Sequence, residues 1–114
     1  MAQEHFRDGT VSAEGEYADG ERHGPWTFYF QHGGVKAKGT YKAGVLDGEW
    51  VWHRKEGGLL QQGAFVDGEQ HGPWKRWYAD GTLWDEGSYD HGRKTGEWVT
   101  HDRDGNVSKR KVHR

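Results

Sequence analysis

With 114 residues, the chain has the size of one domain, so we expect a single folding unit rather than a two-domain enzyme whose active site lies between its halves. Only 32% of the residues are hydrophobic, while 19 glycines, 7 Trp, 5 Tyr and 4 Phe are many for this length, so the composition excludes a thick aliphatic core and favours a thin sheet covered by aromatic rings. A net charge of −2, with acidic and basic residues interspersed, excludes a strong overall attraction to nucleic acid.

The N-terminal segment, MAQEHFRDG, carries charges where a signal peptide needs an apolar run. No segment reaches the roughly 18 apolar residues of a membrane span. The chain has no cysteine, which excludes disulfides, cysteine nucleophiles and Cys-based metal sites. We therefore expect a cytoplasmic protein, and nothing in the residues indicates a cofactor.

From Gly9 onward, the same residue types recur every 24 residues, and HGPW recurs at 23–26 and 71–74, which indicates a doubled 48-residue pair. The repeated positions are Gly15, Gly39, Gly63 and Gly87; Tyr17, Tyr41, Phe65 and Tyr89; Trp26, Trp50, Trp74 and Trp98; and Val11, Val35, Leu59, Leu83 and Val107. Four matching copies predict a repeat protein of about five units in one domain, residues 1–114. The units are 2–19, 20–43, 44–67, 68–91 and 92–114.

Each unit is predicted to be one β-hairpin. The apolar period is two, as in WTFYF at 26–30, and no helical period is sustained. Asp8-Gly9, Asp80-Gly81 and Asp104-Gly105 are strong signals for two-residue type I′ turns, in which both central residues need positive φ. The predicted fold is therefore all-β, an elongated antiparallel β-meander of about five 24-residue hairpins in a single sheet.

If those pairs are the turns, the register follows by counting outward. Phe30 then faces Val35, and every complete unit places a Trp opposite a glycine: Trp26–Gly39, Trp50–Gly63 and Trp74–Gly87. Because glycine has no side chain, each ring can lie over bare backbone. The repeated Trp, Tyr and Phe residues are therefore predicted to form a ladder on one face, with Trp98 opposite Lys111 in a degraded last unit.

The same register predicts the other face. It sets Tyr29 beside Lys36, His53 beside Leu60, and Trp77 directly opposite Trp84. These residues differ between units. The ladder residues repeat because every unit needs them for packing, whereas residues that bind a particular partner are expected to vary from unit to unit. Exposed aromatic residues are typical of protein-binding hot spots, so the candidate partner-binding residues are Tyr29, His53, Leu60, Trp77 and Trp84. The alternative is ordinary packing, with this face covered by the tail or by a second copy.

Catalytic and metal sites are not predicted. His5, His53 and His101 share one offset, but equivalent residues two hairpins apart are separated by about 19 Å, whereas two nitrogens on one zinc lie within about 4 Å. Only non-equivalent neighbours could share a metal. Asp85 and Glu86 are adjacent on a strand and point to opposite faces, so they cannot act as a catalytic pair. We expect no enzymatic activity.

The pattern G-x-[YF]-x-x-G-x-x-x-G-x-W, as in GEYADGERHGPW at 15–26, resembles the MORN (membrane occupation and recognition nexus) repeat. The terminal Trp, where the usual motif has glycine, resembles the bacterial variant found in antitoxin-like and immunity-like proteins. The resemblance implies a meandering sheet of hairpins that acts as a scaffold or interaction surface. It also implies dimers and proposed phospholipid affinity in some members, and no catalytic residues.

The leading functional hypothesis is a non-enzymatic protein-binding module, antitoxin-like or immunity-like by resemblance. The first alternative is self-association as a homodimer. The second is a phospholipid-binding adaptor that uses the basic tail SKRKVHR at 108–114, although four such charges more often form a solvated cap. We expect no nucleic-acid partner and rank membrane contact last.

Overall fold

The structure is a computed structural model that describes residues Met1 to Arg114 and consists of ten β-strands. In chain order, β1 to β10 are Ala2–His5, Val11–Ala18, Glu21–Tyr29, Val35–Lys42, Val45–His53, Leu59–Val66, Glu69–Trp77, Leu83–Asp90, Arg93–His101 and Val107–His113. All ten form one antiparallel sheet in which the spatial order equals the chain order. The all-β meander is thus confirmed, and no helix is present that could cross a membrane.

Two kinds of turn alternate along the sheet, and the tight ones are not where the sequence predicted them. Asp19 and Gly20, between β2 and β3, have φ values of 53° and 80°, as a type I′ turn requires. The equivalent turns, also with two positive φ values, are Ala43-Gly44, Asp67-Gly68 and His91-Gly92. The type I′ turns predicted at Asp8-Gly9, Asp80-Gly81 and Asp104-Gly105 are wrong, since only the glycine of each pair has positive φ.

The Asp-Gly pairs instead belong to longer turns. At Asp80-Gly81, the Gly81 amide donates to the Tyr78 carbonyl and the Tyr78 amide donates to the Thr82 carbonyl. Asp80 Oδ1 accepts a 2.9 Å hydrogen bond from the Thr82 amide. Asp80 therefore stabilises the longer turn through its side chain, without the positive φ that a type I′ turn would require of it. The frequent occurrence of Asp-Gly in tight turns does not reveal this second use of aspartate.

The longer turns change the register at one end of each hairpin. The predicted pairs Trp26–Gly39, Trp50–Gly63, Trp74–Gly87 and Trp98–Lys111 are confirmed. Beyond them, the second strand carries one extra residue, so that Tyr29 pairs with Val35. The predicted pairing of Phe30 with Val35 is therefore wrong, because Phe30 already belongs to the turn.

The tryptophans form the predicted ladder. The Trp26 ring is 1% exposed and lies over Gly15, and its indole nitrogen donates a 3.0 Å hydrogen bond to the Glu16 carbonyl. Trp50, Trp74 and Trp98 cover Gly39, Gly63 and Gly87 in the same way. Each ring thus covers a glycine of the preceding hairpin, not the glycine with which it pairs in its own hairpin. The predicted cover of Gly39 by Trp26 is therefore wrong, because Gly39 is covered by Trp50.

A single layer of aromatic rings makes up the core. Tyr17 meets Trp26 edge-to-face at 5.2 Å, and Tyr41 meets Trp50 in the same geometry at the same distance. Phe65 and Tyr89 repeat this contact with Trp74 and Trp98. The buried cluster is Ala13, Trp26, Ala37, Tyr41 and Trp50. These edge-to-face contacts link neighbouring strands, and the ring centre of Phe28 of β3 also lies 6.1 Å from that of Trp50 of β5. Each hairpin therefore depends on the next for its stability.

The short first strand is tied to the sheet by Glu4. Its carboxylate accepts a 2.6 Å hydrogen bond from Arg22 Nη2 and another from the Tyr17 hydroxyl. The bonds from Arg22, and then from Tyr17, hold the pKa of Glu4 below its ordinary value of 4.5. Ionised Glu4 therefore stabilises the fold at pH values above 4.5, and this contribution disappears as the pH falls through the lowered pKa.

We therefore expect Glu4→Gln to be less stable than the wild type at neutral pH and equally stable in acid. Urea unfolding of both chains across a pH series measures this difference, because protonated Glu4 and glutamine have the same charge. A difference in unfolding free energy that does not change with pH would contradict the role of the Glu4 charge.

Candidate interaction surfaces

The extra residue in each hairpin separates the candidate residues that the sequence had paired. The predicted pairs Tyr29–Lys36, His53–Leu60 and Trp77–Trp84 are wrong. The actual partners of Tyr29, His53 and Trp77 are Val35, Leu59 and Leu83. Lys36, Leu60 and Trp84 are the extra residues of their strands, and a bulged residue has no direct partner. Whether the five candidates contact another protein stays a prediction.

Tyr29, His53 and Trp77 lie on the back face, by which we mean the face opposite the tryptophan ladder. Each is paired there with an aliphatic residue of the next strand, and equivalent pairs occur in the first and last hairpins. These pairs form a back-face belt across all ten strands: His5–Val11, Tyr29–Val35, His53–Leu59, Trp77–Leu83 and His101–Val107. The belt is largely apolar and partly exposed.

Trp77 lines a groove on this face of the sheet. The groove has a volume of 310 Å³, and its other side chains come from Glu49, Gln62, Ala64, Pro73 and Lys75. Arg54 Nη2 donates a 3.0 Å hydrogen bond to the Trp77 carbonyl and so holds this end of β7. The arrangement is one half-buried indole with carboxylate, amide and ammonium groups around it.

Trp84 lies on the ladder face and packs against its own sheet. The Arg76 guanidinium is 3.9 Å from the centre of the Trp84 ring, and Tyr78 stacks on the ring at 5.6 Å. Arg76 Nε also donates a 2.9 Å hydrogen bond to Asp85, which is 5% exposed, and this bond raises the pKa of Arg76. Trp84 therefore packs against the guanidinium of an ion pair whose carboxylate is buried, which fits the packing alternative better than the binding hypothesis.

Sequence reasoning missed the pair of Arg76 and Asp85. The signal was available, because these residues face each other where the two preceding hairpins pair Phe28 with Ala37 and Trp52 with Gln61. A charge on the ladder side in one unit, matched by an opposite charge on the facing strand, indicates a compensated ion pair.

The ladder face changes from aromatic to basic along the sheet. Two residues after each ladder tryptophan, the side chains are Phe28, Trp52, Arg76 and Thr100 in turn. At the C-terminal end, Lys94 Nζ lies 4.6 Å from the centre of the Trp98 ring, and Lys109, Lys111 and His113 line the same groove. Desolvation, together with the three lysines, lowers the pKa of His113.

The acidic pair considered for catalysis is divided between the faces. Asp85 binds Arg76 on the ladder face, and Glu86 lies 3.9 Å from Lys75 Nζ on the back face. The equivalent His5, His53 and His101 lie on β1, β5 and β9, with three strands between each and the next. One group of non-equivalent residues does come together, and it consists of His71, Asp90 and His91.

Comparison with known proteins identifies part of the repeat. No curated protein matches the chain. A family model described as a MORN repeat variant matches residues 22–43 and 70–91, segments that begin 48 residues apart and each contain an HGPW sequence. MORN repeats are generally non-enzymatic modules that bind proteins or lipids. The chain is therefore similar to the MORN repeat variant at two of its hairpins, β3–β4 and β7–β8.

Proposed function

We propose that this chain is a non-enzymatic protein-binding module that binds its partner through the back-face belt, with Trp77 at the centre. The single observation that carries the proposal is the half-buried Trp77 ring in an open groove rimmed by polar side chains. A large aromatic anchor inside a polar rim is the usual composition of a binding hot spot. Leu83 and Leu59 extend the apolar contact on either side.

We propose further that the partner is a toxin-like protein. The terminal Trp of each repeat supports an antitoxin-like or immunity-like role, in which the partner is a toxin-like protein in the cytoplasm. A single hydrogen-bonded sheet suits this role, because a preformed surface loses less conformational freedom on binding than a disordered segment does.

The opposite placement of Trp77 and Trp84 makes a matched test possible. We expect Trp77→Ala to lose a partner that wild-type chain captures from the native host's lysate, and Trp84→Ala to retain it. Both variants remove one indole, but only the first removes one from the back face. Circular dichroism must first show that both variants are folded. Equal capture by wild type and Trp77→Ala would refute the proposed site.

Self-association is the first alternative, and the sheet edges limit its form. β1 has only four residues, and β10 carries Lys109, Arg110 and Lys111, charges that oppose edge-to-edge pairing. A homodimer would therefore join through an aromatic face of the sheet rather than through its edge strands. Light scattering decides this, since a monomer at micromolar concentration excludes it.

A phospholipid adaptor is the second alternative, and the basic end of the ladder face favours it. Lys94, Lys109 and Lys111 gather around one groove there. Such a cluster would bind anionic lipid electrostatically, so flotation with liposomes should increase with anionic lipid content and fall with salt. Flotation that is independent of lipid charge would exclude this mode.

A further inference from the structure

We propose that His71, Asp90 and His91 form a binding site for a divalent transition metal, with Zn²⁺ as the ion that the donor set fits. The site lies at the tight turn between β8 and β9, where His71 of the neighbouring strand β7 reaches the turn. This inference is independent of the proposed partner surface, because none of the three residues belongs to the back-face belt.

The donor atoms are already close together. One ligand atom from each residue lies within 4.8 Å of the other two, and Asp90 Oδ1 is 3.8 Å from both His71 Nδ1 and His91 Nε2. Donors on one tetrahedral zinc, at about 2.0 to 2.1 Å from the ion, are separated by roughly 3.3 Å. Closing this difference requires small side-chain rotations.

Those rotations meet little resistance. The side chains of Asp90 and His91 are 68% and 61% exposed and can rotate into solvent. The His71 side chain is 39% exposed and packs against the His91 ring, 4.8 Å between ring centres, so the two imidazoles are already neighbours. The one bond that a metal at His71 Nδ1 would replace is long, 3.3 Å from the His91 amide. Two imidazoles and one carboxylate are a common zinc donor set, and they leave the fourth position to water.

The 48-residue repeat shows that the fold does not require these ligands. The first copy of the pair has His23, Lys42 and Ala43 at the positions of His71, Asp90 and His91. Its turn has the same geometry, since φ is 49° at Ala43 and 46° at His91. The Ala43 amide even points to His23 Nδ1, at 3.5 Å. The second copy therefore carries two metal-binding side chains that the turn itself does not need.

The same repeat supplies the test. Asp90→Lys with His91→Ala converts the second turn into the first, so this double variant is expected to fold. Calorimetric titration of untagged full-length chain with Zn²⁺ should show one site in the wild type and at least about tenfold weaker binding in the variant. The reciprocal variant, Lys42→Asp with Ala43→His, should bind two zinc ions per chain.

NMR of the histidine ring protons identifies the ligands directly. On addition of Zn²⁺, the signals of His71 and His91 should shift first, and those of His23 should shift only in the reciprocal variant. Zinc binding of unchanged affinity in the Asp90→Lys, His91→Ala chain would overturn the proposal, because the remaining histidines would then account for it. Absence of binding to the wild type would overturn it equally.

Discussion

Gly39→Ala is expected to lower the free energy of unfolding by about 3 kcal/mol, a large effect for one methyl group. A Cβ at Gly39 would overlap the Trp50 ring, at the ring atoms nearest to the backbone. The ring cannot move aside without exposing itself, because it is 2% exposed and packed between Tyr41 and Phe65. Strand propensity alone predicts the opposite sign, since alanine is the better strand former.

Gly58→Ala is the matched control for that substitution. Gly58 precedes β6, and an added Cβ would meet no atom within 4 Å. The free energy of unfolding of Gly58→Ala should therefore stay within about 0.5 kcal/mol of the wild-type value. Urea unfolding followed by tryptophan fluorescence measures both variants. If both substitutions lower the free energy of unfolding by similar amounts, the packing of the Trp50 ring does not depend on the absence of a side chain at Gly39.

Trp50→Ala is expected to destabilise the chain by about 3 to 5 kcal/mol. The substitution removes the edge-to-face contacts with Tyr41 and Phe65 and the stacking on Trp52 at 5.8 Å. It also removes the 3.1 Å hydrogen bond to the Thr40 carbonyl and uncovers Gly39. Because the core is one layer deep, no second layer can close the gap.

Thermal unfolding followed by circular dichroism compares this variant with Trp77→Ala, which removes the same side chain from a half-buried position. Trp77→Ala should cost clearly less, since its ring is only partly removed from water. Trp50→Phe should fall between the two, because it keeps an aromatic ring but loses the indole hydrogen bond. If Trp50→Ala costs no more than Trp77→Ala, the ladder is not the core of the fold.

Much of the sheet follows from the repeat itself. A residue that returns every 24 positions returns to the same place in every hairpin, and a period of two places alternate residues on one face. Trp26, Trp50 and Trp74 could therefore be paired with their glycines from the sequence. The turns could not be assigned in the same way, because Asp-Gly suits both a tight turn and the longer turn in which Asp80 caps Thr82.

The turn error changed the prediction for the candidate site. One extra residue after the longer turn shifts the pairing by one, and a shift of one residue moves a side chain to the other face. Tyr29, His53 and Trp77 stayed on the predicted face, whereas Trp84 lies against Arg76 on the other. The predicted Trp77–Trp84 pair therefore does not exist.

The sequence by itself determined the repeat, the strand type and the ladder of Trp26, Trp50, Trp74 and Trp98, because these depend on periodicity. Only the tertiary structure decided which glycine each ring covers, which face each aromatic residue occupies, and that His71 meets Asp90 and His91. Such contacts join non-equivalent residues of neighbouring strands. Their geometry depends on the turns and bulges, which the repeat period does not encode.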